Sequence, residues 1–169
     1  MRQRRPPDRD ELAVAAKSPA TPKALAVRWL ARREYSRAEL AQRLRHRGIA
    51  AADVERALDE LAAAGYLSDA RYAMALVAQR AGRYGKRAIV HALKERGIDA
   101  ENAAAALAPL AETDELADAQ SLWQQRFGEP PANNREQARQ VRFLQARGYS
   151  LSVALRVLRA AGHRTDDAT

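Results

Sequence analysis

One short pattern recurs three times along this chain and restricts its fold more than any other feature. An Arg-Gly pair occurs at 47–48, 96–97 and 147–148, so that the glycines are 49 and 51 residues apart. A leucine lies four residues before each glycine, and another lies ten residues after it. Around these pairs three segments align without gaps, namely AELAQRLRHRGIAAADVERALDEL (38–61), RAIVHALKERGIDAENAAAALAPL (87–110) and ARQVRFLQARGYSLSVALRVLRAA (138–161). A period of about 50 residues is typical of a repeat protein.

Each aligned segment predicts a helix, a tight turn and a second helix. Glycine ends the first helix because it adopts a left-handed backbone conformation at no steric cost. Asp99 and Ser150 are suited to cap the second helix in the second and third units, whereas the first unit has only Ala50 there. Residues 36–39, Ser-Arg-Ala-Glu, form a capping-box pattern at the start of the helix before the first turn.

A further helical segment precedes each pair of helices, at 21–34, 68–83 and 112–127. Ser68 and Thr113 are candidate caps of the second and third segments. Trp29, Tyr72 and Trp123 lie in these segments, and the helical spacing of the apolar residues predicts that they are buried.

The chain is therefore predicted to be all-α, with three tandem three-helix, helix-turn-helix-like repeats that form an elongated, curved solenoid. The predicted boundaries are an N-terminal tail (1–22), repeat 1 (23–67), repeat 2 (68–111), repeat 3 (112–162) and a C-terminal tail (163–169), both tails being expected to be mobile.

The composition excludes several classes of function. The chain has no cysteine, which excludes disulfides and thiolate chemistry and fits a reducing compartment. No stretch approaches the ~20 apolar residues of a membrane span, and the basic start of the chain leads into no apolar signal segment. His46, His91 and His163 have no partner at metal-ligand spacing, and no phosphate-loop motif occurs. We expect a cytoplasmic protein that is not an enzyme, with no catalytic residue, metal or cofactor and no membrane association.

The excess of positive charge points to a polyanionic partner or to an acidic protein surface. The chain has 29 Lys+Arg against 21 Asp+Glu, a net charge of +8. Any one arginine is most simply a solvated side chain that covers apolar surface, but matched positions in three repeats favour a binding surface. Arg135, Arg139 and Arg142 follow i, i+4, i+7 spacing and must share one helix face. The candidate partner-binding residues are Arg32, Arg33, Arg37, Arg43, Arg47, Arg83, Tyr84, Lys86, Arg87, Lys94, Arg135, Arg139 and Arg142.

Two questions stay open at this level. Tyr84 lies among basic residues, so it could stack on a base or cover a protein pocket, but it could equally be a packing residue at a helix start. The helices that follow the Arg-Gly turns are rich in alanine, and only Asn102 offers an amide, so sequence-specific DNA readout is not expected. Non-specific contact between the basic helices and phosphates remains an alternative.

Two stretches resemble the RecX family of bacterial recombination regulators. They are LARREYSRAELAQRLRHRGI (30–49) and GYLSDARYAMALVAQRAGRYGKRAIVHALKERGI (65–98). The resemblance is strong over 24–110 and looser over 112–162. It implies a role in homologous recombination, DNA repair and the SOS response. RecX-like proteins bind RecA and lie along the groove of the RecA–ssDNA filament. There they inhibit filament growth, ATPase activity, strand exchange and LexA co-cleavage.

The resemblance therefore implies RecA and the RecA–ssDNA filament as partners, with weak non-specific DNA binding possible. One rival hypothesis is a non-specific DNA-binding protein that competes with RecA for single-stranded DNA. Another is a scaffold for a different acidic protein. We expect a monomer, because the surface helices have no sustained apolar stripe.

Overall fold

The backbone of the computed structural model is described for residues 21–111 and 114–166, and the side chains for 21–110 and 114–162. Over these residues the chain forms nine α-helices and no strand, which confirms the all-α prediction. The helices are α1 (Pro22–Leu30), α2 (Arg37–Arg45), α3 (Ala51–Ala63), α4 (Asp69–Arg80), α5 (Lys86–Glu95), α6 (Ala100–Leu107), α7 (Glu115–Arg126), α8 (Asn134–Ala146) and α9 (Leu151–Asp166), with a 3-10 turn at Ala108–Ala111 after α6.

Side chains cap the helix starts where the sequence predicts them. Ser36 and Glu39 form both hydrogen bonds of a capping box at the start of α2. Asp99 caps α6, and the Ser150 hydroxyl accepts a hydrogen bond from the Val153 amide at 3.2 Å. Ala50 provides no side-chain cap to α3, as expected.

Helix α7 is capped by a residue that the sequence analysis did not select. The predicted cap, Thr113, lies outside the described residues. The Asp114 carboxylate accepts hydrogen bonds from the amides of Leu116 and Ala117 at 3.0 and 3.3 Å. A carboxylate at this position also suits the positive end of the helix dipole.

The three Arg-Gly turns have the predicted backbone conformation. Gly48, Gly97 and Gly148 have φ angles of +78°, +70° and +89°. Each therefore lies in the left-handed region, which costs a residue with a Cβ about 1–2 kcal/mol. Helices α2 and α8 thus pack against the helix that follows the turn, and in repeat 2 both α5 and α6 pack on α4.

The core is divided into three clusters, and each cluster draws its described residues from one repeat. Trp29, Tyr72 and Trp123 are 8%, 6% and 1% exposed, which confirms the prediction that they are buried. Helices α3, α6 and α9 contribute buried alanine, leucine and valine, so they are packing helices. At the end of the third cluster, α9 continues past the predicted boundary at 162 to Asp166.

Successive repeats meet through the Arg-Gly turns. Between repeats 1 and 2, the Arg96 guanidinium pairs with the Glu39 carboxylate of α2. Between repeats 2 and 3, the Gly85 amide donates a hydrogen bond to the Arg147 carbonyl oxygen at 2.8 Å. Both turns thus dock on the start of the second helix of the preceding repeat.

Candidate partner-binding surface

The predicted basic residues lie mainly on α2, α5 and α8, the second helix of each repeat. Each of these helices buries one apolar face, for example Leu40 and Leu44 in α2 and Ile89 and Leu93 in α5. The opposite face must point to solvent, because the helical period separates the two sets of positions. The cations therefore lie on the outer faces of the array.

On α8 the predicted arginine stripe is a single exposed row. Arg135, Arg139 and Arg142 are all exposed and line one groove of about 450 Å³ with Asn133 and Glu136. None of the three arginines forms a salt bridge within the described residues. The Glu136 carboxylate instead accepts a hydrogen bond from the Ala132 amide at 3.0 Å. The positive charge of the row is therefore directed outward without a matching internal carboxylate.

Helix α5 carries a second set of exposed cations. Lys86, Arg87 and Lys94 are exposed, and the salt bridges of the described residues include none of them. Arg87 lies beside His91 on one wall of a groove of about 500 Å³, and Gln145 of α8 lies on the other wall. Because Gln145 is three residues from Arg142 on the same helix face, the cations of α5 and α8 border one surface. We call this surface, made by Arg87, Lys94, Arg135, Arg139 and Arg142, the α5–α8 surface; Lys86 instead lines a separate groove together with Glu115 and Asp118 of α7.

In repeat 1, several predicted cations pair with carboxylates of the same chain. The Arg37 guanidinium lies 2.8 Å from Glu55 and 2.7 Å from Asp59, both on α3. The hydrogen bond from Arg37 lowers the pKa of the Glu55 carboxyl, and the same bond raises the pKa of Arg37. Arg33 lies 3.5 Å from Glu39. These pairs connect helices, so much of the charge of repeat 1 is neutralised internally.

Arg43 and Arg47 are the exceptions in repeat 1, since they pack on an aromatic residue instead. The Arg43 guanidinium lies 4.6 Å from the Trp29 ring centroid, and that of Arg47 lies 6.0 Å away. Both distances suit a cation–π contact. The shared ring confirms that the two arginines lie on one face, as their spacing predicts. Arg32 and Arg83 are exposed, without a described side-chain contact.

Tyr84 is held at the junction between repeats 2 and 3. Its ring lies 5.1 Å from the guanidinium of Arg80 and 5.1 Å from that of Arg147. The side chain is half-buried, so its packing role is observed, and a contact with a partner stays a prediction.

Sequence reasoning did not select Tyr35 and Arg96, which lie at the junction between repeats 1 and 2. Tyr35 is 7% exposed, and the Arg33 guanidinium lies over its ring, 3.6 Å from the ring centroid. The signal for both residues was present, since Tyr35 and Tyr84 occupy matched positions and Arg96 belongs to the repeated Arg-Gly pair. The pattern does not reveal that the arginine of one repeat reaches the repeat before it.

The described residues show neither of two other kinds of site. No group of three or more His, Asp or Glu side chains in them could hold a metal ion. In the described part of the chain, no helix is long and apolar enough to cross a membrane.

Fold and surface define a class: an all-α protein of three tandem three-helix repeats, with an outer face of exposed cations. Family models of the first, second and third three-helix domains of RecX match residues 23–61, 68–107 and 112–158. The chain belongs to the RecX family.

Curated relatives match nearly the whole chain. The regulatory protein RecX of Leptothrix cholodnii is 46% identical over 85% of this chain and 91% of its own length. That of Acidithiobacillus ferrooxidans is 43% identical over 85% of this chain and 92% of its own length. Both are named as regulatory proteins.

Solved structures show the same fold. The crystal structure of RecX from Lactobacillus salivarius has a TM-score of 0.64 at 20% identity, covering 83% of this chain and 94% of that one. A second crystal structure, of regulatory protein RecX, has a TM-score of 0.67 at 18% identity, covering 90% and 79% of the two chains. The tandem arrangement of three-helix repeats is therefore shared with these structures.

Proposed function

We propose that this protein binds RecA and the RecA–ssDNA filament and inhibits filament growth, ATPase activity, strand exchange and co-protease activity. Membership of a family of regulatory proteins over all three repeats carries the proposal. Such a regulator acts by binding, requires no cofactor, and works in the cytoplasm where RecA assembles on DNA.

The α5–α8 surface supports this function by its charge and by its extent. Its cations are exposed and lack internal carboxylate partners within the described residues, so they are available to acidic groups of RecA, to the bound DNA, or to both. They belong to two successive repeats, and a tandem array can contact more than one filament subunit at once. Linked contacts of this kind raise the overall affinity well above that of any one contact.

Direct competition for single-stranded DNA is the second candidate, and the arginine row on α8 favours it. Three exposed arginines on one face, at spacings of one helical turn, suit a phosphate backbone. Binding of that kind loses affinity steeply with salt, by a logarithmic slope of about 0.7 per phosphate contact for single strands. Recognition of a protein surface through a few contacts gives a shallower slope.

The experiment is a titration of the ssDNA-dependent ATPase of RecA with this protein at several salt concentrations. Inhibition at far fewer than one copy per RecA supports a filament regulator. Inhibition only when the DNA itself is saturated, with a steep salt dependence, supports strand competition. The absence of inhibition at any ratio would refute the RecA proposal.

A further inference from the structure

A small polar groove lies between repeats 1 and 2, apart from the α5–α8 surface. It has a volume of about 280 Å³. Its walls come from the α1–α2 connection, from α2 and from the second Arg-Gly turn, and include Arg33, Tyr35, Glu39, Gln42, Arg43 and Arg96. Repeat 1 supplies most of the groove, and Arg96 of repeat 2 completes it where the two repeats are docked.

Arg43 is fixed in position within this groove. Its guanidinium packs on the Trp29 ring at 4.6 Å, and its Nη1 donates a hydrogen bond to the Tyr35 hydroxyl at 3.2 Å. Trp29 and Tyr35 are 8% and 7% exposed, so both supports are rigid parts of the core. A guanidinium carries five N–H donors in a planar fork. One of them is used by Tyr35, and none reaches a carboxylate among the described residues.

The remaining charges leave the groove positive. Glu39 is its acidic residue, and its carboxylate already pairs with Arg33 at 3.5 Å and with Arg96. The same carboxylate accepts a hydrogen bond from the Ser36 amide at 3.3 Å. Its charge is therefore matched, while the charge of Arg43 is not. His46 and the Gln42 amide add further hydrogen-bonding groups beside Arg43.

The contacts within the groove favour a carboxylate over a nucleic-acid strand. Single-stranded nucleic acid binds where bases stack on open aromatic faces along a basic track. Here Arg33 lies 3.6 Å from the Tyr35 ring centroid and Arg43 packs on Trp29, so cations already occupy these faces. One planar guanidinium fork, held in orientation by Trp29 and Tyr35, suits a single planar carboxylate, which can accept two parallel hydrogen bonds.

We propose that this groove, with Arg43 as its anchor, binds an Asp or Glu side chain of an acidic segment on the protein partner. The anchor occurs only at this junction, because the alignment of the repeats places Ala92 and Phe143 at the positions that correspond to Arg43. Only the identity of the partner rests on the proposed function; the chemistry of the groove does not.

The test is an NMR titration of the full chain that follows the side-chain N–H signals of arginine and glutamine. The probes are an acetylated pentaglutamate peptide and, separately, an oligo-dT strand. Saturable shifts of Arg43 and Gln42 with the peptide, and loss of the Gln42 shift in Arg43→Lys, support the proposal. Lysine keeps the charge but not the fork. Arg28→Lys is the matched control, since Arg28 is an exposed arginine of the same repeat. Shifts with oligo-dT but not with the peptide would assign a phosphate site and overturn the proposal, as would no shift with either probe.

A second measurement separates this proposal from the proposed function. Arg43→Lys is expected to need roughly tenfold more protein than the wild type or Arg28→Lys for equal inhibition of the RecA ATPase. Equal inhibition by all three would overturn the role of the groove in RecA binding. If the wild type itself does not inhibit, the proposed function fails, and the peptide titration alone decides whether the groove binds carboxylates. Thermal melting of Arg43→Lys within a few degrees of the wild type confirms that the fold is retained.

Discussion

Replacing Gly148 by alanine tests whether repeat 3 docks on repeat 2 through the Arg-Gly turn. A Cβ added to Gly148 would overlap the Ala88 Cβ and lie 2.7 Å from the Ala88 backbone nitrogen. The Ala88 backbone cannot move aside cheaply, because α5 is packed against the core of repeat 2. Overpacking of this kind costs about 1–3 kcal/mol. The φ angle of +89° adds about 1–2 kcal/mol for any residue with a Cβ.

Gly48→Ala is the matched control for this substitution. Gly48 occupies the same turn with φ +78°, but no described atom lies within 4 Å of its added Cβ. It therefore incurs only the backbone cost of about 1–2 kcal/mol. We expect Gly148→Ala to be less stable than Gly48→Ala by about 1–3 kcal/mol, or on the order of 5 °C in melting temperature.

The assay is urea and thermal unfolding followed by circular dichroism, together with limited proteolysis. Because each repeat has its own core, loss of docking leaves the helices formed and exposes the segment between repeats 2 and 3 to protease. Faster cleavage there, in Gly148→Ala only, is the expected result. Equal destabilisation by the two substitutions, with equal cleavage, would refute the docking of the turn on Ala88.

Three further predictions concern charge and titration. Replacing Arg135, Arg139 and Arg142 together by Glu is expected to weaken binding to the filament. The melting temperature and the helix content should stay unchanged, because the three side chains are exposed. Loss of folding would show instead that the row is structural. Glu39→Gln is expected to lower the free energy of unfolding by about 0.5–2 kcal/mol in urea denaturation, because two half-exposed arginines lose their carboxylate partner. An unchanged value would contradict that pairing. Burial, and then the nearby carboxylates, raise the pKa of Tyr149 to about 12. Folding therefore favours the neutral phenol. Its contribution to the free energy of unfolding is fully present below pH ~10, the usual pKa of tyrosine, and is lost as the pH rises towards 12. Burial also raises the pKa of Tyr72. A spectrophotometric titration of the tyrosines should therefore show late-ionising phenols, and the one that ionises near pH 12 should disappear in Tyr149→Phe. The stability of this variant near neutral pH should not fall, because the Tyr149 hydroxyl has no described partner.

The local part of this structure follows from short-range pattern. The Arg-Gly turns require a left-handed residue, and glycine supplies it at each position. The capping box at Ser36 depends on a residue three positions away, and the burial of Trp123 depends on helical spacing. Interactions of this range are set by neighbours along the chain, so the order of the helices and their caps could be predicted from sequence.

The candidate surface was predicted less completely, because charge neutralisation is a long-range property. Arg37 appears equivalent to other arginines in sequence, but it reaches Glu55 and Asp59, which are 18 and 22 residues away. The Arg96 side chain pairs with Glu39, which is 57 residues away in another repeat. Nothing in the local sequence distinguishes these paired arginines from the row on α8, which forms no salt bridge within the described residues.

The sequence by itself determined that this protein is a tandem array of three-helix units, because the repeat, the turns and the apolar spacing are all properties of neighbouring residues. Only the tertiary structure decided which cations face outward and which hold helices together. The difference arises because a guanidinium reaches several ångströms from its backbone, so its partner depends on how the helices dock rather than on the residues beside it.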